Sequence, residues 1–164
     1  MSDKFILDAS AGFRMMWFDK AQPNTVYLDQ RPECNPDVVG DFRNLEQFEN
    51  DTFTLIVWDP PHEVRRPSDP NCSFVHDFGC LNPETWASDI SKGARECFRV
   101  LKPRGVLIFK WNTRIIKVES ILSLFPQKPL FGQVTKGEAG SRKHASKTYW
   151  FCFMKLSVSE GEQP

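Results

Sequence analysis

Four short apolar runs within the first 60 residues each end on an acidic side chain, and this repetition restricts the fold more than any other feature of the chain. Phe5-Ile6-Leu7 runs into Asp8, Thr25-Val26-Tyr27-Leu28 into Asp29, and Val38-Val39 into Gly40-Asp41. The longest run, Phe53-Thr54-Leu55-Ile56-Val57-Trp58, ends at Asp59. Between them lie a small-residue turn, Ala9-Ser10-Ala11-Gly12, then a predicted short helix over residues 13–20 that stops before Pro23. A helical turn is expected over residues 42–49, with Leu45 and Phe48 as its apolar positions. Short strands alternating with helical or turn segments predict a parallel, doubly wound sheet.

The second half continues the alternation. Asn82-Pro83 reads as a cap followed by a proline at the first helical position. Trp86, Ile90, Ala94, Cys97 and Leu101 then recur every three or four residues and form one apolar face. Pro103 and Gly105 end that helix, and residues 106–111 form a buried strand. A weaker helix is expected over residues 114–124. Leu130-Phe131 and residues 148–156 read as two closing strands separated by the basic loop between Lys136 and Lys147. One domain is expected over residues 1–156, with residues 157–164 as a flexible tail. Residues 62–82, with Pro67 and Pro70 and no sustained period, read as a lid or binding loop, with disorder as the competing reading.

The chain has 164 residues, one domain by length. No apolar run reaches the length of a membrane span and the N-terminus carries no signal-peptide pattern, so a cytoplasmic protein without a membrane partner is expected. Five cysteines without a CxxC pair suggest free thiols, neither a disulfide framework nor a zinc site, and no metal is expected. The formal net charge of zero conceals an asymmetry. Residues 1–60 carry 11 acidic and 5 basic side chains, and ten Lys or Arg lie from Lys102 to Lys147 against two Glu. A basic half attracts a polyanion, although solvated helix faces give the same counts.

The fourth run delivers Asp59-Pro60-Pro61-His62. Proline fixes φ, removes the N–H and keeps the residue before it out of the helical region. Asp59 and Pro60 are therefore held extended, with carbonyl oxygens that no neighbouring turn consumes. This is a preorganised cluster of acceptors at the carboxyl edge of a sheet, where open α/β folds bind ligands. It suits a planar amino group that donates two hydrogen bonds while its nitrogen attacks. An ordinary Asp-Pro turn after a core strand is the plain alternative.

Strand–D-P-P-H closely resembles the [DN]-P-P-[aromatic] motif of S-adenosylmethionine-dependent amino-methyltransferases. Cys97 to Phe109, CFRVLKPRGVLIF, resembles the "RVLKPGGxLxF" passage of class I methyltransferases. With LDASAGFRMMWFDK, GDFRNL, LIFKWN, KPLFG and KTYWFCFMK, the resemblance covers residues 5 to about 156 and is closest to short phage- and prophage-encoded proteins of the DPPY type. It implies an α/β, Rossmann-like class I methyltransferase fold: a single, mostly parallel seven-stranded sheet with helices on both faces and an antiparallel closing strand.

The resemblance also implies roles. Asp8, Ala9, Ser10 and Gly12 correspond to the turn that cradles the methionine part of the cofactor, S-adenosyl-L-methionine. Arg14 stands where many relatives have glycine, and it can pair with the cofactor carboxylate. Asp29 corresponds to the acid that accepts both ribose hydroxyls, and Asp41 with Phe42 to the adenine site. Asp59 and the Pro60 carbonyl would accept the two amino hydrogens of an adenine or cytosine, with Pro61 fixing the backbone and His62 in the place of the stacking aromatic. Lys110 and Trp111 close the next strand on the same edge, Trp111 being equally readable as core. Arg142, Lys143, His144 and Lys147 belong to the basic loop and can meet a phosphate backbone, although a solvated loop is the simpler reading.

The expected activity is methyl transfer to an exocyclic amino nitrogen of a nucleobase. DNA is favoured over RNA by the phage-like resemblance alone, and a duplex target would need its base extruded. The chain has no room for a separate target-recognition domain, so specificity falls to the 62–82 loop, the basic loop or a protein partner. Two rivals stand beside this reading: a small-molecule or protein-amide methyltransferase, and a catalytically silent assembly subunit on the cofactor fold.

Overall fold

The computed structural model describes residues 4–66, 79–136 and 146–156. Seven strands form one sheet: β1 (Ile6–Asp8), β2 (Thr25–Asp29), β3 (Val38–Val39), β4 (Phe53–Trp58), β5 (Leu101–Asn112), β6 (Phe131–Lys136) and β7 (Lys147–Met154). Their spatial order is β3-β2-β1-β4-β5-β7-β6. The first five strands pair in parallel, and β7 runs antiparallel to both β5 and β6. This is the mostly parallel, seven-stranded arrangement with an antiparallel closing strand that the resemblance implied. The order reverses between β1 and β4, so the carboxyl ends of adjacent parallel strands open a crevice there.

Register explains why the runs are so apolar. Ile56 pairs with Leu7 on one side and Leu107 on the other, Leu107 pairs with Phe153, and all four side chains are fully buried. One pleat further on, Trp58, Phe109 and Phe151 form a second row. Two helices cover this face, α1 (Trp86–Val100) and α2 (Val118–Leu122). Ile90, Ala94 and Cys97 of α1 are fully buried, as the periodicity predicted. Gly93 lets α1 lie directly on the sheet, since a Cβ there would stand 2.6 Å from both Trp58 and Phe42. After α2, Phe125 stacks on Phe153 at 4.7 Å and packs on Phe109. Each such side chain contributes about 1.5–3 kcal/mol by leaving water. This packing fixes the β4 end, and with it Asp59. Both described α-helices lie on this face; the other is met in part by turns, where Trp17 packs edge-on against Tyr27 at 5.3 Å.

Several local expectations are corrected. Residues 13–20 form turns, not a helix, because Gly12 and Arg14 take left-handed φ values of 49° and 56° and tight turns close at Arg14 and Trp17. The indole of Trp17 is also tied to Asp8, a tertiary bond that overrides helix propensity. Residues 42–49 form consecutive turns, with the Leu45 N–H drawn to Glu96 of α1. The helix after Asn82 begins at Trp86, since residues 82–85 form a turn that returns to the Asn82 carbonyl. The helix expected over 114–124 shrinks to Val118–Leu122. Strand β5 starts at Leu101 with an irregularity in its pairing to β4, and Arg104 takes φ 65°. Residues 157–164, and 67–78 of the expected binding loop, lie outside the described residues. No helix among the described residues is long and apolar enough to cross a membrane.

Candidate active site

The turn after β1 is built by hydrogen bonds to its neighbours. The Ala9 N–H donates to the Val57 carbonyl of β4, and the Ala11 N–H to the Leu28 carbonyl of β2. Asp8 is fully buried and accepts from the Ser10 N–H at 3.2 Å and the Trp17 indole at 2.7 Å. Burial pushes its pKa up to about 6, with the charges of Asp59 and Asp29 adding to the rise. Asp8, Asp29 and Asp59 therefore share one electrostatic environment at the strand ends. The Ser10 hydroxyl accepts the Asp59 N–H at 3.0 Å and so joins the first turn to the D-P-P-H segment.

Asp29 is saturated. Its Oδ1 accepts the Arg31 N–H at 3.0 Å and Arg31 Nε at 2.9 Å; its Oδ2 accepts the Gly12 N–H at 2.7 Å and Arg31 Nη2 at 3.3 Å. A carboxylate offers about four lone-pair sites. Asp41 is held in the same way by Arg43, whose N–H and Nε both reach Oδ1 at 2.9 Å and whose guanidinium also bonds Oδ2. Burial alone would raise the Asp41 pKa, but the Arg43 bonds prevail and hold it below the ordinary value. Phe42 packs on Trp58 with ring centroids 5.4 Å apart.

Asp59 pairs with Lys110 Nζ of β5 at 2.6 Å. His62 sits edge-on to Trp111 at 6.3 Å, and burial lowers its pKa, opposed in part by the Asp59 charge. Two adjoining hollows connect these groups. The larger, about 410 Å³, is lined by Ser10–Phe13, Met15, Met16, Arg31, Asp59–His62 and Lys110. The smaller, about 40 Å³, lies between Ala9, Asp29, Asp41, Phe42 and Gly79. Ser10, Arg31, Asp59 and Pro61 border both.

The residues picked out in the sequence divide accordingly. Ala9, Ser10, Gly12, Asp29, Asp41, Phe42, Asp59, Pro60, Pro61, His62 and Lys110 converge on the cleft, with Asp8 buried beneath its turn. Arg14 does not. Its guanidinium lies 3.9 Å above the Tyr27 ring and donates to the carbonyls of Lys20 and Asn35, which directs it away from both hollows. Trp111 is fully buried, with its indole bonded to the Ile116 carbonyl, and backs His62 from within the core. Lys147 is exposed at the start of β7, beside Thr113. Arg142, Lys143 and His144 lie outside the described residues.

Sequence reasoning missed Arg31, Arg43 and the apolar lip of Phe13, Met15 and Met16. The signal for the arginines was present as acid-x-Arg, repeated at Asp29-Gln30-Arg31, Asp41-Phe42-Arg43 and Glu63-Val64-Arg65. The third of these, directly after the D-P-P-H segment, has a buried Glu63 held by Arg65 Nε at 2.7 Å.

This topology and crevice recur in solved structures. A TehB-like SAM-dependent methyltransferase from Corynebacterium glutamicum superposes with a TM-score of 0.57 at 18% identity, over 92% of this chain and 79% of that one. A SAM-dependent methyltransferase from Methanosarcina mazei gives 0.59 at 13% identity, over 92% of each chain. An rRNA methylase from Streptococcus thermophilus gives 0.56 at 9% identity, over 92% of this chain and 87% of that one. The chain has the Rossmann-like fold of the class I methyltransferases. A scan of family models found no match, and neither did a search of curated proteins. At these identities the likeness shows the class I fold alone, and function rests on the site.

Proposed function

We propose that this protein is an S-adenosylmethionine-dependent methyltransferase acting on an exocyclic amino nitrogen of a nucleobase, in DNA in preference to RNA. The observation that carries the reading is the Ser10–Asp59 hydrogen bond, which locks the β1 turn to Asp59-Pro60-Pro61-His62 along one 410 Å³ cleft. The lining fits the cofactor: Asp29 and Asp59, at the ends of β2 and β4, border the hollows beside the Ser10–Gly12 turn and offer acceptors for hydroxyl and amino hydrogens. S-adenosylmethionine, when bound, supplies an electrophilic methyl group on a positively charged sulfur.

The chain's own residues position the acceptor. Lys110 bonds Asp59 Oδ2, so Oδ1 and the Pro60 carbonyl are the acceptors for two amino hydrogens. Holding both hydrogens aims the nitrogen lone pair across the cleft, and most of the acceleration comes from that positioning. The bound cofactor would supply the methyl group, and Asp59, through the oxygen that Lys110 leaves open, or water would take the proton that the amine gives up. His62, kept neutral by burial, offers its ring to a planar base, and the Phe13, Met15 and Met16 lip gives an apolar margin.

A second reading has its own observation. Asp29 and Asp41 are both capped by intrachain arginines, which fits a silent subunit on a methyltransferase fold. Methyl transfer from labelled cofactor to duplex DNA, RNA and free nucleotides separates the two. Transfer to DNA is expected, falling about 100- to 1,000-fold in Asp59→Ala while cofactor affinity stays within a few-fold. Transfer that survives Asp59→Ala rules out this mechanism; cofactor binding without transfer to any acceptor supports the silent subunit.

A further inference from the structure

Arg31 borders both hollows of the cleft, yet its guanidinium is engaged with Asp29. The acid proposed to take the ribose has no vacant acceptor site. Its oxygens already receive two backbone N–H groups and two guanidinium N–H groups. The backbone donors are fixed by the β1 turn and by the Arg31 backbone, whereas the guanidinium bonds are side-chain bonds and can move. Ribose hydroxyls can therefore reach Asp29 only where Nε and Nη2 of Arg31 now sit. Arg31 Nη2 also lies 3.3 Å from the position a Gly12 Cβ would occupy, against the turn expected to cradle the amino-acid end of the cofactor. A guanidinium released at that spot is a side chain only 18% exposed and needs an anion. A ligand that carries a ribose and a carboxylate supplies the displacing hydroxyls and the replacement anion together.

We propose that Arg31 binds the carboxylate of the cofactor's amino-acid moiety, exchanging its bonds to Asp29 for that carboxylate as the ribose arrives. This rests on S-adenosylmethionine being the cofactor, and it gives Arg31 the role that the sequence assigned to Arg14. No bond is made or broken in the exchange; one bidentate charge-assisted pair replaces another. Arg31 is thereby a specificity residue that selects adenosyl ligands bearing a carboxylate.

Calorimetry with S-adenosylmethionine and decarboxylated S-adenosylmethionine, on wild type, Arg31→Gln and Arg31→Lys, tests this. Wild type should prefer the carboxylated ligand by about 10- to 100-fold, as expected for hydrogen bonds to a charged group. Arg31→Gln should bind both ligands within about threefold of each other, the ratio expected when the charged pair is lost. Arg31→Lys keeps the charge without the fork and should fall between; it decides the matter if Arg31→Gln melts below the working temperature. An unchanged preference in the variants overturns the proposal, since the carboxylate would then be held elsewhere. So does equal tightening for both ligands, which would make Arg31 only a plug on Asp29. Wild-type protein that binds neither ligand overturns the methyltransferase reading itself, a result distinct from either of these.

Discussion

At the ends of β2 and β3, Asp29 and Asp41 each receive a guanidinium from the residue two positions on. At the end of β1, the residue two positions after Asp8 is Ser10, which offers only its N–H; the indole of Trp17 is the other donor, and neither is charged. At the end of β4 the corresponding residue is Pro61, which cannot donate at all, and Asp59 takes its cation from Lys110 on the next strand. One sequence signature, an acid closing a strand, thus has two electrostatic outcomes. The β2–β3 half of the cleft neutralises its carboxylates locally. The β1–β4 half keeps Asp8 buried among other acids, with a pKa raised to about 6. The residue two positions downstream decides which outcome follows.

The largest effect expected from breaking this contrast is at Asp29. Asp29→Ala leaves the Gly12 N–H and the Arg31 guanidinium without their acceptor, at about 2–3 kcal/mol of stability. It should also weaken S-adenosylmethionine binding by about 1–3 kcal/mol, because the ribose hydroxyls lose their acceptor. Chemical denaturation and calorimetry read the two losses separately. Unchanged binding would mean that the β2–β3 half takes no ribose.

The next effect is at Asp8, and its sign is opposite to that of an ordinary salt-bridged carboxylate. The unfolded chain titrates this group near 3.8 and the folded one near 6, so between those values the folded state holds the extra proton. Stability from this group is full below pH 3.8 and is lost as pH rises through 6. Asp8→Asn removes that dependence, and relative to wild type it should gain on the order of 2 kcal/mol between pH 4 and pH 7.5. Half-buried His62, its pKa lowered, works the other way, losing stability as pH falls, so the difference between variant and wild type is the quantity to follow. Melting curves over that range give it. A flat difference would mean that Asp8 titrates as an ordinary carboxylate.

The strands and the cleft could be read from the sequence because they depend on local facts: apolar runs of strand length, an acid at each end, and a proline pair that fixes its own backbone. The helix over residues 13–20 misled because its outcome depends on Tyr27 and Asp8, partners distant in sequence. Trp17 reaches Asp8, and Arg14, left-handed at φ 56°, lies over Tyr27. Arg14 was assigned to the cofactor because it stands at a glycine position; that backbone conformation is what turns its side chain away. Arg104 similarly takes φ 65° where the resembling passage has glycine. The arginine clamps were visible as acid-x-Arg, but spacing alone does not say whether a charge folds back or faces solvent.

The smallest effect separates the two clamps from each other. The Arg31–Asp29 pair is 18% and 7% exposed, whereas Arg43–Asp41 is 40% and 31% exposed. Water screens the second pair, and exposed ion pairs are worth about 0–1 kcal/mol. Arg43→Gln should therefore cost less than about 1 kcal/mol at pH 7 and low salt, and less again at high salt. Arg43 also approaches Asp89 at 3.5 Å, but the Thr85 hydroxyl at 2.7 Å keeps that carboxylate bonded in the variant. Because Arg43 holds Asp41 below its ordinary pKa, the stability it provides is present above that value and lost as pH falls through the folded one. The difference between variant and wild type should shrink as Asp41 becomes protonated. Denaturant titrations at pH 7 and at acid pH, each at two salt concentrations, measure it. A loss as large as that of Arg31→Gln, insensitive to salt, would make the two clamps equivalent and remove the exposure difference as the reason they differ.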